Sequence, residues 1–241
     1  MTEKIKDIFD FIKNPQKEEY RVECCIDKLY DINKYNGLTN FTGNKIEIKK
    51  FLINDAIMNY KNEILYIKIQ YMIALNYYNQ LTNLEKDSEE YSNTEFLSVL
   101  YFNHVVINLY SAYDKTYHIL NAIYELNVDY KVEKTNYKKS IRDKIKANVS
   151  DKKIGEKVNS IYSRLQQEQY LELRDNIVHN KSDSFYKIEK DYSQTLDSLY
   201  GEKQIPIDEL INRIDKICSI ISEQIEIIND FFRMKLNRRK E

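Results

Sequence analysis

Residues 173–180 read LRDNIVHN, and three of them carry side chains that can do chemistry together. Arg174 precedes His179 by five positions, Asp175 follows the arginine directly, and His179 is one of only three histidines in the chain. A guanidinium grips phosphate oxygens through two parallel hydrogen bonds and holds charge that builds on them. An imidazole titrating near neutral pH moves protons. Together they suit the cleavage of RNA without a metal. The ribose 2′-hydroxyl already stands beside the scissile phosphate, so proton transfer and charge stabilisation are what a protein must add. Asp175 and His179 are four residues apart and share a helix face, so the carboxylate can orient the imidazole and favour its protonated form. A helix C-terminus at this point pushes the same way. On an ideal helix Arg174 and His179 point about 140° apart. They flank a shared groove more easily if two copies of the helix face each other. The plain alternative is a surface Asp–His pair worth roughly 0.3 kcal/mol beside a solvated arginine.

The remaining histidines lie in NHVVINLYSAYDKTYHIL. His104 sits among Phe102, Val105 and Val106 and reads as a core or partly buried residue. His118 follows Asp114 by four positions, a second Asp–His pair on one helix face. It reads as structural or, if Asp114 faces an RNA site, as the edge of that site. Asn180 and Lys181, just after the motif, join His118 as candidate RNA contacts. Tyr110, Tyr113, Tyr117 and Tyr124 form a helical stripe, suited to a bundle core or dimer face, or to stacking of RNA bases. The basic cluster from Lys131 to Lys146 and the segment NRRKE offer phosphate-binding surface or solvated charge.

Other chemistries find no support. Cys24, Cys25 and Cys218 make no CxxC pair, which argues against structural zinc, and free thiols suit a reducing cytoplasm. There is no P-loop, GxGxxG or HExxH, which argues against an ATPase, a dehydrogenase and a zinc protease. No metal and no cofactor is expected. The formal charge of −1 means that any nucleic-acid surface must be local. With no run of ~18 apolar residues and no apolar N-terminal run, the expectation is a cytoplasmic protein with no membrane partner.

The elements that must position these residues are helices. Four glycines and two prolines in 241 residues leave little for turns. A short helix is expected from Glu3 to Lys13, stopping near Asn14-Pro15. A second, KEEYRVECCIDKLYDINKY, puts Val22, Cys25, Ile26 and Leu29 on one face, and the loop NGLTNFTGN follows. KIEIKKF reads as a brief strand or a helix start. From Ile48 to Leu84 the pattern is helical, with Ile53, Ile57, Ile64, Ile67, Tyr71 and Leu75 in phase. Ser92 and Glu95 have capping-box spacing and predict a new helix running to Leu126. The two long helices then form an antiparallel hairpin. Residues 127–150, with seven Lys or Arg in KVEKTNYKKSIRDKIKANVS, read as a solvated helix with frayed flanks. A helix resumes near Asp151 and carries the Arg–His motif near its end. Residues 185–200 are ambiguous and 201–206 form a turn. A last helix starts at Pro206, with a stripe from Ile207 through Ile214, Ile221 and Ile228 to Phe232. The fold class is all-α: an up-down bundle at 45–241 with a helical N-terminal extension at 1–44.

The segment LRDNIVHN resembles the arginine-x(4–6)-histidine signature of the HEPN superfamily, and the preceding NLYSAYDKTYHILN looks like helices of its bacterial members. The resemblance extends over residues 94–235. It implies an all-α bundle, a metal-independent endoribonuclease acting on RNA as a homodimer, and a toxin or anti-phage defence effector with an antitoxin or defence-system partner. Arg174 and His179 would be catalytic, with Asp175 in support, and Asp114 on the earlier helix would face the site as a candidate RNA contact. Non-catalytic members that bind RNA, nucleotide or a partner protein are the alternative it leaves open. Members paired with a nucleotidyltransferase antitoxin carry a tyrosine two residues after the histidine. This chain has Lys181 there, which puts control by that modification in doubt.

Overall fold

Ile53, Ile57, Tyr60, Ile64, Ile67, Tyr71 and Ala74 are spaced alternately four and three residues apart, and all are buried. That spacing keeps one seam of a helix against a neighbour over five turns and more. The computed structural model of the chain describes residues 25–30, 32, 44–133, 135–149, 152–167 and 206–237, with backbone only at 44–50 and 234–237. Its elements are α1 (Asp27–Tyr30), α2 (Asn44–Leu81), α3 (Glu89–Ile123), α4 (Tyr130–Glu133), α5 (Tyr137–Asn148), α6 (Lys152–Gln167) and α7 (Ile207–Asn237), and among the described residues there is no strand. The fold is all-α. The expected helix at 3–13, residues 36–43 of the expected loop and the segment 185–200 lie outside the described residues, and Asn44, expected in the loop, opens α2.

At 38 residues α2 extends roughly 57 Å. It starts at Asn44, so KIEIKKF is helical, as the longer apolar period beyond it requires. The turn to α3 is closed by Ser88, whose backbone is extended and whose Oγ accepts from the Tyr91 N–H at 3.1 Å. Glu89 and Glu90 in the first turn complement the positive end of the helix. The helix therefore starts four residues before the expected Ser92. Ser92 lies inside the first turns, its hydroxyl near the Ser88 carbonyl.

On α3 the buried positions fall into two adjacent seams, one through Ser98, Phe102, Val105, Leu109 and Ala112, the other through Val106, Tyr110, Tyr113, Tyr117 and Leu120. A helix with two seams needs two neighbours, and α3 lies between α2 and α7. Toward α2, Tyr71 meets Phe102 edge-on, Ser98 donates to the Ala74 carbonyl at 3.1 Å, and Asn108 donates to Gln70 at 2.7 Å. Toward α7, Gln224 donates to Thr116 at 2.5 Å and Tyr124 packs against Phe231. The stripe expected on α7 is buried at Leu210, Ile214, Cys218, Ile221, Ile225, Ile228 and Phe232. Tyr110, Tyr113 and Tyr117 belong to this core, so they are closed to stacking on RNA bases.

Ile26 and Leu29 at α1 reach the same core. Cys25 is hydrogen-bonded to Cys218, which together with burial pushes its thiol pKa up and keeps it protonated. No helix among the described residues is long and apolar enough to cross a membrane.

Candidate functional site

Arg174, Asp175, His179, Asn180 and Lys181 lie outside the described residues. What is described is the structure that delivers the chain to them. Along α6, Val158, Ile161 and Leu165 are buried, and Arg164 grips the Glu223 carboxylate of α7 with both terminal nitrogens, Nη1 to Oε1 at 2.9 Å. This two-point pair holds the last turn of α6 against α7 just before residue 168. At the other end Gly155 lets α6 approach α5. A Cβ there would stand 3.2 Å from the Cα of Lys146.

The charged segment before α6 is not simply solvated. Tyr137, Ile141, Arg142 and Ile145 form a buried face of α5. Arg142, 8% exposed, places its guanidinium carbon over the Tyr162 ring, 3.5 Å from the centroid, which joins α5 to α6 by a cation–π contact. The polar face stays outside, with Lys139, Lys146, Lys152 and Lys157 exposed. Residues 137–167 hold nine Lys or Arg against three Asp or Glu, a local surplus of six positive charges in a chain of net charge −1. In the sequence this surplus is divided between the charged segment 127–150 and the helix that follows it.

Asp114 and His118 do not pair with each other. Asp114 takes the ammonium of Lys138 at 2.7 Å. His118 turns to Tyr137, whose hydroxyl is 3.1 Å from Nδ1, and its ring packs with Tyr130 and Tyr137 at 5.2 and 4.8 Å. Burial holds the His118 pKa below its ordinary value, opposed by Asp114 and assisted by Lys115. The imidazole is therefore neutral at neutral pH. His118 also lines a cleft of about 560 Å³ between α2 and α3, whose walls include Asp55, Asn59, Asn62, Glu63 and Lys115. Sequence reasoning singled out His118 but not its four partners on α2, whose polarity alone marks only an exposed helix face. His104 is half-buried against Tyr101. Among the described residues no group of His, Cys, Asp and Glu is arranged to hold a metal ion.

An all-α bundle with a basic helical pair leading into an Arg–His segment defines a class before it defines a family. Residues 52–236 match the model of the HEPN_Cthe2314-like HEPN family. The chain belongs to that family. The match begins on α2, well before the residue 94 at which the resemblance in the sequence started, so it takes in the hairpin from residue 52 onward. No curated protein and no solved structure matches the chain.

Proposed function

We propose that the chain is a metal-independent endoribonuclease of the HEPN type in which His179 transfers protons, Arg174 holds the scissile phosphate and Asp175 orients the histidine. The reading is carried by one observation. Arg174 and His179 stand at the superfamily's arginine–histidine spacing, inside the stretch that matches the HEPN family. The positive surplus on α5 and α6, the elements next before the motif, supports an RNA substrate.

In the reaction the 2′-oxygen attacks the adjacent phosphorus as its proton passes to an imidazole. The 5′-oxygen then departs with a proton from an imidazolium, and the products are a 2′,3′-cyclic phosphate and a 5′-hydroxyl. A homodimer that joins two motifs supplies one imidazole as base and one imidazolium as acid, and so completes the site. Asn180 and Lys181 extend the RNA contact. Such an activity suits a cytoplasmic toxin or defence effector held in check by an antitoxin or another defence-system partner. Residues 1–44 then serve as a helical extension of the domain at 45–241.

Incubation of purified protein with RNA in EDTA is the direct test. The wild type is expected to cleave, and His179→Ala and Arg174→Ala each to lose about 10²–10⁴-fold in rate. Cleavage by both variants at the wild-type rate would sink the assignment. Growth arrest on expression, relieved by His179→Ala, separates this reading from a non-catalytic binding module.

A further inference from the structure

The cleft between α2 and α3 has a feature that an accidental groove lacks: the imidazole on one of its walls is held by a chain of hydrogen bonds. That chain of bonds begins at the backbone. Asn121 donates from Nδ2 to the Val128 carbonyl at 2.9 Å and accepts from the Val128 N–H on Oδ1 at 3.2 Å, so its amide has one orientation. The same Nδ2 donates to the Tyr137 hydroxyl at 3.2 Å. The Tyr137 hydroxyl in turn stands 3.1 Å from His118 Nδ1. Nδ1 is thereby engaged by Tyr137, and Nε2 is the ring nitrogen that Tyr137 does not occupy.

The cleft thus combines an anchored imidazole with carboxylate acceptors. Glu63 gives one carboxylate oxygen to Lys115, and Asp55 gives one to the Asn59 amide at 3.1 Å. Each carboxylate keeps a second oxygen, and the exposed Asn62 and the ring of Tyr66 stand beside them. Two carboxylates against one lysine, itself already paired, repel a phosphate. They accept well from an exocyclic amino group, as acidic side chains do at cytosine and amides at adenine. The volume is ample for a planar heterocycle. We propose that this cleft is a nucleobase-binding site selective for bases that carry an exocyclic amino group. The choice of a nucleobase rests on the RNA reading above; the polarity of the site does not.

Two pairs of nucleosides exchange the amino group for a carbonyl, adenosine against inosine and cytidine against uridine. They are titrated into the full-length protein and followed by calorimetry and by the nitrogen shifts of His118. The amino-bearing member of each pair is expected to bind roughly tenfold more tightly. Glu63→Gln and, on the more exposed side, Asp55→Asn are each expected to erase that preference while leaving the protein folded by circular dichroism. Asp55→Asn decides alone if Glu63→Gln does not fold. Equal affinity within each pair, no binding at all, or a preference untouched by the decisive variants overturns the proposal. Cleavage of RNA in EDTA without nucleoside selectivity refutes the cleft and spares the nuclease. Selectivity without cleavage does the reverse.

Discussion

His118 shows how one side chain can be settled by its surroundings rather than by its sequence neighbours. Asp114 stands at the spacing that would pair with it, yet Lys138 takes the carboxylate at 2.7 Å and Tyr137 takes the imidazole. Residues 24 and 19 positions away decided the outcome, and no local pattern reports them. Because burial lowers the His118 pKa, the unfolded chain takes up that proton first as pH falls through about 6.5. More protons on the unfolded state means that stability rises with pH in this window, so acidification costs stability. The melting temperature is expected to fall between about pH 7.5 and about pH 5.5, and His118→Phe to flatten part of that fall. Identical pH dependence in both proteins would contradict the buried neutral imidazole. Glu125 offers a second test. It adopts φ 53° just after α3, where Leu126 donates to the Asn121 carbonyl at 3.1 Å. That is a helix-ending geometry in which glycine is usual. Glu125→Gly is expected to stabilise the protein by about 0.5–1 kcal/mol in denaturant unfolding, and a loss of stability would contradict the strain.

The helices differ in how plainly the sequence announces them. α2, α3 and α7 bury continuous seams, and their period survives any reading. The start of α3 was less legible, because Ser88 and Ser92 both precede acidic residues and only the hydrogen bond from the Tyr91 N–H distinguishes them. α5 was half legible. Its lysines hide the buried Tyr137, Ile141 and Ile145, and nothing local reveals that Arg142 rests on a ring twenty residues further on. Two predictions belong to this hairpin. Gly155→Leu would drive a side chain into the backbone of α5 and is expected to destabilise by about 1–3 kcal/mol, measured in urea. Reversal of charge at Lys139, Lys146 and Lys157 is expected to weaken RNA binding and to reduce the slope of log affinity against log salt by roughly 3 × 0.7 for a single strand. An unchanged slope would remove α5 and α6 from the RNA surface.

For the molecule as a whole, helical class and the Arg–His motif were both readable from the chain, one from scarce glycine and proline and regular seams, the other from residue type and spacing. The cleft was not, since it assembles Asp55, Glu63, Lys115 and His118 from two helices whose register depends on the packing of buried side chains between them. Family membership joins the pieces: a bundle whose interior is apolar and tyrosine-rich, a basic helical pair, and a motif that two copies would complete. Sedimentation of the purified protein is expected to give a dimer, and a monomer that still cleaves RNA would contradict the joint site. The chemistry itself is read in the product ends. RNA cut by the wild type in EDTA is expected to carry 2′,3′-cyclic phosphate and 5′-hydroxyl termini, with neither formed by His179→Ala. Cleavage that needs a divalent metal, or that leaves 5′-phosphate and 3′-hydroxyl ends, would contradict proton transfer by His179 to and from the ribose and the leaving oxygen.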